Sequence, residues 1–245
     1  VTKNVINKIL CKNKEVEVAF SPERLAEGNA IQELKTLPIV VGGVTKKAGE
    51  RGCAFWNEAL GVKVINVLNS ETAEMVKLAN NAWIDLNIGL ANDIARLADK
   101  LEFNIDVLEV IKAANSLKKG SNYVNILTPS SGVGGYCLTK DPWFLYSLGK
   151  EKNIELNTIK AGRKSNDIMP EYSSKIILDY LKEKNIKFET SKVAILGFSF
   201  KSGSGDIRYS PVIDFINNLK KSGIKNIQVF DPLVTISDKN KFDFY

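Results

Sequence analysis

Histidine is absent from all 245 residues. That removes the side chain that most often serves as general base and as metal ligand. Any proton acceptor working near neutral pH must then come from a carboxylate, a lysine or a bound water. Cysteine is nearly as scarce. Cys11, Cys53 and Cys137 are odd in number, far apart and in no C-x-x-C pair, which excludes a disulfide framework and a zinc knuckle, and fits reduced thiols. No apolar run nears the roughly 20 residues of a membrane helix, and the start shows no signal-peptide pattern. Repeats and low-complexity tracts are missing. The net charge of +6 is scattered rather than massed, which argues against a nucleic-acid tract. It suits either an anionic small ligand or an ordinary lysine-rich surface. The expectation is a cytoplasmic protein with no nucleic-acid or membrane partner and no metal.

With 44% hydrophobic and 25% charged residues, the chain can bury a core in one or two domains. "VEVAFSPER", "LPIVVGG" and "KVINVL" read as strands, with the helical "TKKAGERGCAFWNEAL" between the last two. That alternation predicts a parallel α/β sheet. From residue 70 the period changes to one long helix, with Ser70 as N-cap and apolar Met75, Leu78, Ala79, Ala82, Leu86, Leu90, Ile94 and Leu97 at helical spacing. "DVLEVIKAAN" is a further helix, and another follows the glycine loop from about Pro142 to Lys150. Near Ile168 a second α/β unit begins: helix "PEYSSKIILDYLKEK", strand "KVAILGFSF", helix "SPVIDFINNLKKSG", strand "IQVFDP". The layout is half an α/β domain, an all-helical connector and the start of another Rossmann-like sheet. The helix-like "VTKNVINKIL" at the start and "TISDKNKFDFY" at the end make the segment read as a piece of a longer protein.

No G-x-G-x-x-G fingerprint follows a strand: in "NILTPSSGVGGYC" Cys137 takes the third glycine position, and "AILGFSFKSG" has too few glycines. The loop "GVGGYCLTKD" still needs explaining. Gly132, Gly134 and Gly135 allow close backbone approach, and successive N–H groups there can bind an anion; an ordinary turn is the alternative. Cys137 follows these glycines with Lys140 and Asp141 beside it, and a nearby ammonium favours a thiolate, whereas Cys11 and Cys53 read as small core fillers. On the long helix, Lys77, Asn81, Asp85 and Asn92 fall on one stripe, either lining a polar cleft or, the better bet from spacing alone, forming a solvated face. Glu23 and Glu27 in "SPERLAEG" end a strand, where ligand sites of α/β sheets lie; they are general-base candidates or helix-start carboxylates.

Together, "SPERLAEG", the Lys77–Asn81 helix with "LANDIA", "GVGGYCLTKDP", "GRKSNDIMP" and "LGFSFKSGSGDIRYSP" resemble, in order, the motifs of the UDP-glucose/GDP-mannose dehydrogenase family, over nearly the whole chain. The resemblance implies two-step oxidation of a sugar C6 alcohol to a carboxylate with two NAD reduced, through a thiohemiacetal and then a thioester on Cys137. It implies Asp141 with a water as base, Lys77 as oxyanion stabiliser, Glu23 in thioester hydrolysis with Glu27 as companion, and Asn81 holding the sugar or the water. Glu27, Gly132, Gly134, Gly135 and Lys201 are implied to meet the UDP-sugar, and Arg208 and Lys140 the cofactor. The implied domains are residues 1–69, the C-terminal half of an NAD domain; 70–160, a helical dimerisation and catalytic domain; and 161–245, a partial UDP-sugar domain. A homodimer through the long helix follows. The motif forms are most similar to the branch acting on UDP-N-acetyl-hexosamines, with UDP-N-acetyl-mannosamine the implied substrate. Alternatives are the same chemistry on UDP-glucose and a truncated, non-catalytic dimerising paralogue. Against the family pattern, Tyr136 stands where the N-acetyl-sugar enzymes usually have His, Ser130 and Tyr209 replace a glycine and an acid, and the family's glycine fingerprint and active-site threonine lie outside this segment. The 245-residue piece alone is therefore expected to be inactive and to bind NAD poorly.

Overall fold

Strand β2 (Ile39–Gly43) anchors the first of two compact units, Val1–Asn80. The computed structural model describes residues 1–12 and 16–239. A π-helical turn (Thr2–Asn7) runs into the short helix α1 (Lys8–Leu10), then β1 (Ala19–Phe20), α2 (Ala30–Leu34), β2, α3 (Lys46–Leu60) and β3 (Val64–Val67). β2 pairs with β3 in parallel, Ile39 opposite Val64 through Gly42 opposite Val67, with α3 as the crossover. α3 starts where the Thr45 hydroxyl accepts from the Ala48 N–H at 3.1 Å and stops at Gly61, left-handed at φ 65°. Gly43 lets α3 seat on the strand: a Cβ there would lie 2.2 Å from the Gly49 nitrogen.

β1 departs from expectation. It is only two residues long and runs antiparallel to β2. A parallel neighbour needs a crossover packed on the sheet, and the segment between β1 and β2 offers only a loop and the five-residue α2.

The long helix is α4 (Ser70–Ala98). Its cap is Asn69 rather than Ser70: Asn69 Oδ1 accepts from the Thr72 N–H at 2.8 Å and from its hydroxyl at 2.8 Å. Ser70 is the first helical residue, buried, and its hydroxyl donates to Glu71. The faces of α4 are the reverse of the expected solvated polar stripe. Asn81, Asp85 and Asn92 are buried, the last two to 1% and 0% exposure, while Trp83, Leu90 and Leu97 are 49%, 49% and 60% exposed.

The second unit is Asn81–Tyr245. After α4 come α5 (Val107–Ala114), capped by Asp106, and a small antiparallel hairpin of β4 (Lys118–Lys119) and β5 (Asn122–Tyr123). The glycine loop leads to α6 (Asp141–Glu151), followed by α7 (Asn157–Asp167) and α8 (Met169–Glu183). α7 lies close on α4, since a Cβ on Gly89 would sit 2.9 Å from the Gly162 carbonyl oxygen. β6 (Lys192–Leu196) and β7 (Asn226–Phe230) are parallel, joined through α9 (Pro211–Lys221), and the short α10 (Ile236–Lys239) ends the described chain. Leu181, Phe198, Ile216, Leu219, Ile224, Ile227 and Val229 form the core between this sheet and helices α8 and α9. The fold is thus α/β, with the strand–crossover–strand start of a second Rossmann-like sheet. Among the described residues no helix is long and apolar enough to cross a membrane.

Candidate active site

Cys137 is exposed, in the turn that precedes α6. Its carbonyl accepts from the Asp141 N–H at 2.8 Å and the Lys140 N–H at 3.2 Å, so thiol and carboxylate are one helical turn apart. Asp141, the first residue of α6, is buried. Its Oδ2 accepts from Asn81 Nδ2 at 2.6 Å, and its Oδ1 faces Lys140 Nζ at 3.2 Å. The Lys140 ammonium also lies over the Phe144 ring at 4.8 Å. Cys11 is half-buried and donates to Asn7 Oδ1 and to the Val16 carbonyl. Cys53 is half-buried on α3, where burial pushes its thiol pKa up. Neither is the buried core filler expected.

The glycines of the loop serve close packing. A Cβ on Gly134 would be 2.6 Å from Phe200 Cβ and from the Tyr209 carbonyl oxygen, and Gly135, at φ 78°, presses on the Phe200 ring. The Gly135 N–H donates to the Arg208 carbonyl at 3.0 Å, so it does not point at an anion as expected of a nest. Lys201 lies in the half-buried turn after β6. Arg208 grips Asp206 through Nε at 2.8 Å to each carboxylate oxygen and stacks its guanidinium over Tyr136, 5.0 Å from the ring centre. Tyr136 meets Tyr209 edge-on at 4.8 Å.

In the first unit, Lys77 and Glu23 are brought together, Nζ to Oε2 at 3.4 Å. Glu23 lies in the loop beyond β1, where its other oxygen accepts from the Leu25 N–H. Glu27 is exposed in the same loop. Neither is a helix-start carboxylate, because Glu33 is the acid in the first turn of α2.

The sequence reading missed a buried polar network in the second unit. Arg163 Nη1 donates to Asp85 at 2.5 Å and to the Leu138 carbonyl at 3.3 Å, and Nη2 to Asp167. Asn166 Nδ2 donates to Asp85 Oδ1 and to its carbonyl, both at 2.8 Å. Burial raises the Asp85 pKa, and Arg163 and Asn166 oppose the rise. The signal lay in Arg163 and Asn166 standing three apart in "GRKSND", a spacing that puts both on one helix face. Among the described residues no cluster of three or more His, Cys, Asp or Glu side chains could hold a metal.

Comparison with known proteins decides what this constellation belongs to. Residues 71–168 match the model of the UDP-glucose/GDP-mannose dehydrogenase family, central domain, and residues 194–244 that of the same family's UDP binding domain. The chain belongs to the UDP-glucose/GDP-mannose dehydrogenase family. It is 37% identical to the UDP-N-acetyl-D-mannosamine dehydrogenase of Methanococcus maripaludis over 94% of this chain and 50% of that protein. It is 32% identical to the NDP-N-acetyl-D-galactosaminuronic acid dehydrogenase of Ralstonia nicotianae, over 92% of this chain and 50% of that protein. The solved UDP-D-ManNAc dehydrogenase of Pyrococcus horikoshii superposes with a TM-score of 0.83 at 33% identity, covering 94% of this chain and 53% of that one. The chain thus spans about half the length of the relatives it matches. Nucleotide-sugar dehydrogenases of this family use NAD, and this chain carries the family's UDP binding domain.

Proposed function

We propose that this chain is the sugar-nucleotide and thiol-bearing part of an NAD-dependent dehydrogenase that oxidises the C6 alcohol of a UDP-N-acetyl-hexosamine, UDP-N-acetyl-mannosamine first, to the carboxylate. The observation that carries the reading is the exposed Cys137 thiol one turn from Asp141, a carboxylate buried against Asn81. In the reaction, the C6 alcohol first loses its hydroxyl proton and a C6 hydrogen with its electron pair to give the aldehyde. Cys137 Sγ then adds to that aldehyde and the carbonyl oxygen takes a proton, giving a thiohemiacetal. Removal of the C6 hydrogen with its electron pair, and of the hydroxyl proton, leaves a thioester. Water then adds and the C–S bond breaks, releasing the carboxylate and returning the thiol. Asp141 takes and returns the protons through a water, with Asn81 fixing which oxygen faces the reaction. Lys77 stabilises negative oxygen, and Glu23, its 3.4 Å partner, serves thioester hydrolysis with Glu27 as companion.

NAD supplies the hydride acceptor for both oxidations when bound. Arg208, a surface guanidinium stacked on Tyr136, suits a pyrophosphate, and Lys140 is the second cation assigned to the cofactor. The strand–helix turn at Gly42 and Gly43 does not fit a phosphate: a Cβ on Gly42 would meet the Asn69 carbonyl oxygen at 2.1 Å, so this backbone is packed against its own chain. Gly132, Gly134, Gly135 and Lys201 are assigned to the sugar nucleotide. On this reading residues 1–69 complete an NAD domain, 70–160 catalyse and dimerise, and 161–245 begin the UDP domain of a cytoplasmic enzyme. The homodimer is supported by Trp83, Leu90 and Leu97, exposed at seven-residue steps along α4.

The test uses the protein as its gene encodes it, with UDP-N-acetyl-mannosamine and NAD. Two NADH per uronate are expected, and none from Cys137→Ser. Undiminished acid formation by that variant would overturn the thioester route. Turnover of UDP-glucose alone would move the substrate. A dimer without turnover, whose three cysteines alkylate at equal rates, would make it a scaffold.

A further inference from the structure

The loop that carries Cys137 is tied at both ends into one buried polar network. At its start, the Ser130 N–H donates to Asn92 Oδ1 at 2.8 Å. Asn92 Nδ2 donates to Asn166 Oδ1 at 2.9 Å, and Asn166 donates to Asp85. Asp85 holds Arg163 at 2.5 Å, and Arg163 reaches the carbonyl of Leu138, the residue after Cys137, at 3.3 Å. The chain of bonds therefore runs from Ser130 through α4 and α7 and back to Leu138, closing a ring around the segment that contains the three glycines and the thiol. Its four side chains are all at most 2% exposed.

Three features point beyond a stabilising role. A buried ion pair is a weak stability device compared with apolar side chains of the same volume, and its best use is to fix geometry. Arg163 is placed at a cost, because its Nε is buried and meets no acceptor. A cavity of about 380 Å³ beside the loop is lined by Val133, Thr139, Trp143, Arg163 and Pro211 among others, so Arg163 borders the space next to the loop. Packing of Gly134 and Gly135 on Phe200 holds the middle of the segment, and the polar ties hold its two ends.

We propose that Asp85 and Arg163 are positioning residues that set the backbone of the Cys137 loop, and with it the placement of the thiol relative to Asp141. The proposal rests on the thiol chemistry given above for its kinetic readout, but not for its structural one. Neither residue touches the thiol. Arg163 acts through the Leu138 carbonyl, and Asp85 acts by fixing the plane of the guanidinium.

The experiment compares wild type with Asp85→Asn and Arg163→Lys in the protein as its gene encodes it. Lysine keeps the charge beside Asp85 but loses the fork that reaches Leu138 and Asp167 together. Both variants are expected to lose at least about 10-fold in kcat with KM changed less than about threefold, since a misplacement near 1 Å costs on the order of 100-fold. Amides of residues 130–141 should exchange with deuterium at least about tenfold faster, while those of β6 and β7 stay unchanged. Folded variants with wild-type kcat and unaltered exchange in the loop would overturn the proposal. So would equal acceleration everywhere, which is what loss of stability alone produces. Should either variant fail to fold, wild-type exchange decides. Residues 130–138 protected to the level of residues 81–92 support the proposal, and exchange as fast as the 118–123 hairpin sinks it. If the wild type turns over no UDP-sugar, the functional reading fails while the exchange measurement still settles the loop.

Discussion

Asn81, in the middle of α4, donates a 2.6 Å hydrogen bond to Asp141 at the start of α6, and both side chains are buried. This is the closest contact of the carboxylate, and it leaves Oδ1 to the surface ammonium of Lys140. Replacing Asn81 by Leu keeps the volume and removes the donor, so a buried carboxylate oxygen loses its partner. That costs about 1–3 kcal/mol. The expected outcome is a lowered melting temperature together with a loss of roughly 100-fold in turnover. Thermal unfolding and steady-state kinetics check both, and a variant that keeps full activity would remove Asn81 from the machinery.

Much of this arrangement is legible in the sequence, for identifiable reasons. Cys137 and Asp141 stand four apart at a helix start, so their proximity follows from local geometry. The length of α4 follows from its periodicity, but its orientation does not. Apolar spacing shows that Trp83, Leu90 and Leu97 share a face, not whether this chain covers it. Sequence spacing alone favours a solvated polar stripe over a polar cleft, because its partners, Arg163 and Asn166, come from a segment some eighty residues on. α7 itself is hard to read: its buried face is Gly162, Arg163 and Asn166, with no apolar stripe to betray it. The direction of β1 is not legible, because strand composition carries none.

The exposed stripe on α4 gives a test of assembly. Leu90→Glu or Leu97→Glu places a charge at a half- or more exposed position, so the monomer should keep its fold and lose little stability. Sedimentation is expected to show a dimer for wild type and a monomer for either variant at the same concentration. Circular dichroism should be unchanged. A dimer that persists in both variants assigns the interface elsewhere.

Asp231, at the end of β7, gives a pH dependence. Burial would raise its pKa, but the N–H groups of Phe198, Ser199 and Leu233 and the Ser199 hydroxyl all donate to it and hold it at about 2, against 3.8 for the unperturbed group. A depressed carboxylate stabilises the fold fully above its unfolded pKa and ceases to do so as pH falls through the folded one. The contribution is about 2 kcal/mol, present above about pH 4 and lost towards pH 2. Urea unfolding of Asp231→Asn should therefore lie below wild type at pH 6, with the gap closing in that window. A gap independent of pH would show that the carboxylate is not the source.

Gly134 tests the glycine loop. A methyl group there would sit 2.6 Å from Phe200 Cβ and from the Tyr209 carbonyl oxygen, and 3.0 Å from Pro211. Two of these neighbours are a ring system and backbone, which yield little, so Gly134→Ala is expected to cost about 1–3 kcal/mol. It should also displace the loop, so activity falls further than stability alone explains at a temperature where the variant is fully folded. Unfolding in urea and kinetics at 25 °C separate the two effects.

Tyr136 sits beside the thiol, edge-on to Tyr209 at 4.8 Å and beneath the Arg208 guanidinium at 5.0 Å. Tyr209 holds this contact from a left-handed backbone, φ 51°, a conformation that a bulky residue adopts at a cost. The two aromatic contacts offset that cost, each worth about 1 kcal/mol. Tyr136→Phe keeps the ring and both contacts, whereas Tyr136→Ala loses them. The phenylalanine variant should match wild type in stability, and the alanine variant should lose about 1–2 kcal/mol. If the ring also frames the sugar, the ratio of kcat/KM for UDP-N-acetyl-mannosamine over UDP-glucose will shift in the alanine variant and hold in the phenylalanine one. A shift in both assigns selectivity to the hydroxyl, and a shift in neither confines Tyr136 to tying the Cys137 loop to the segment around Arg208.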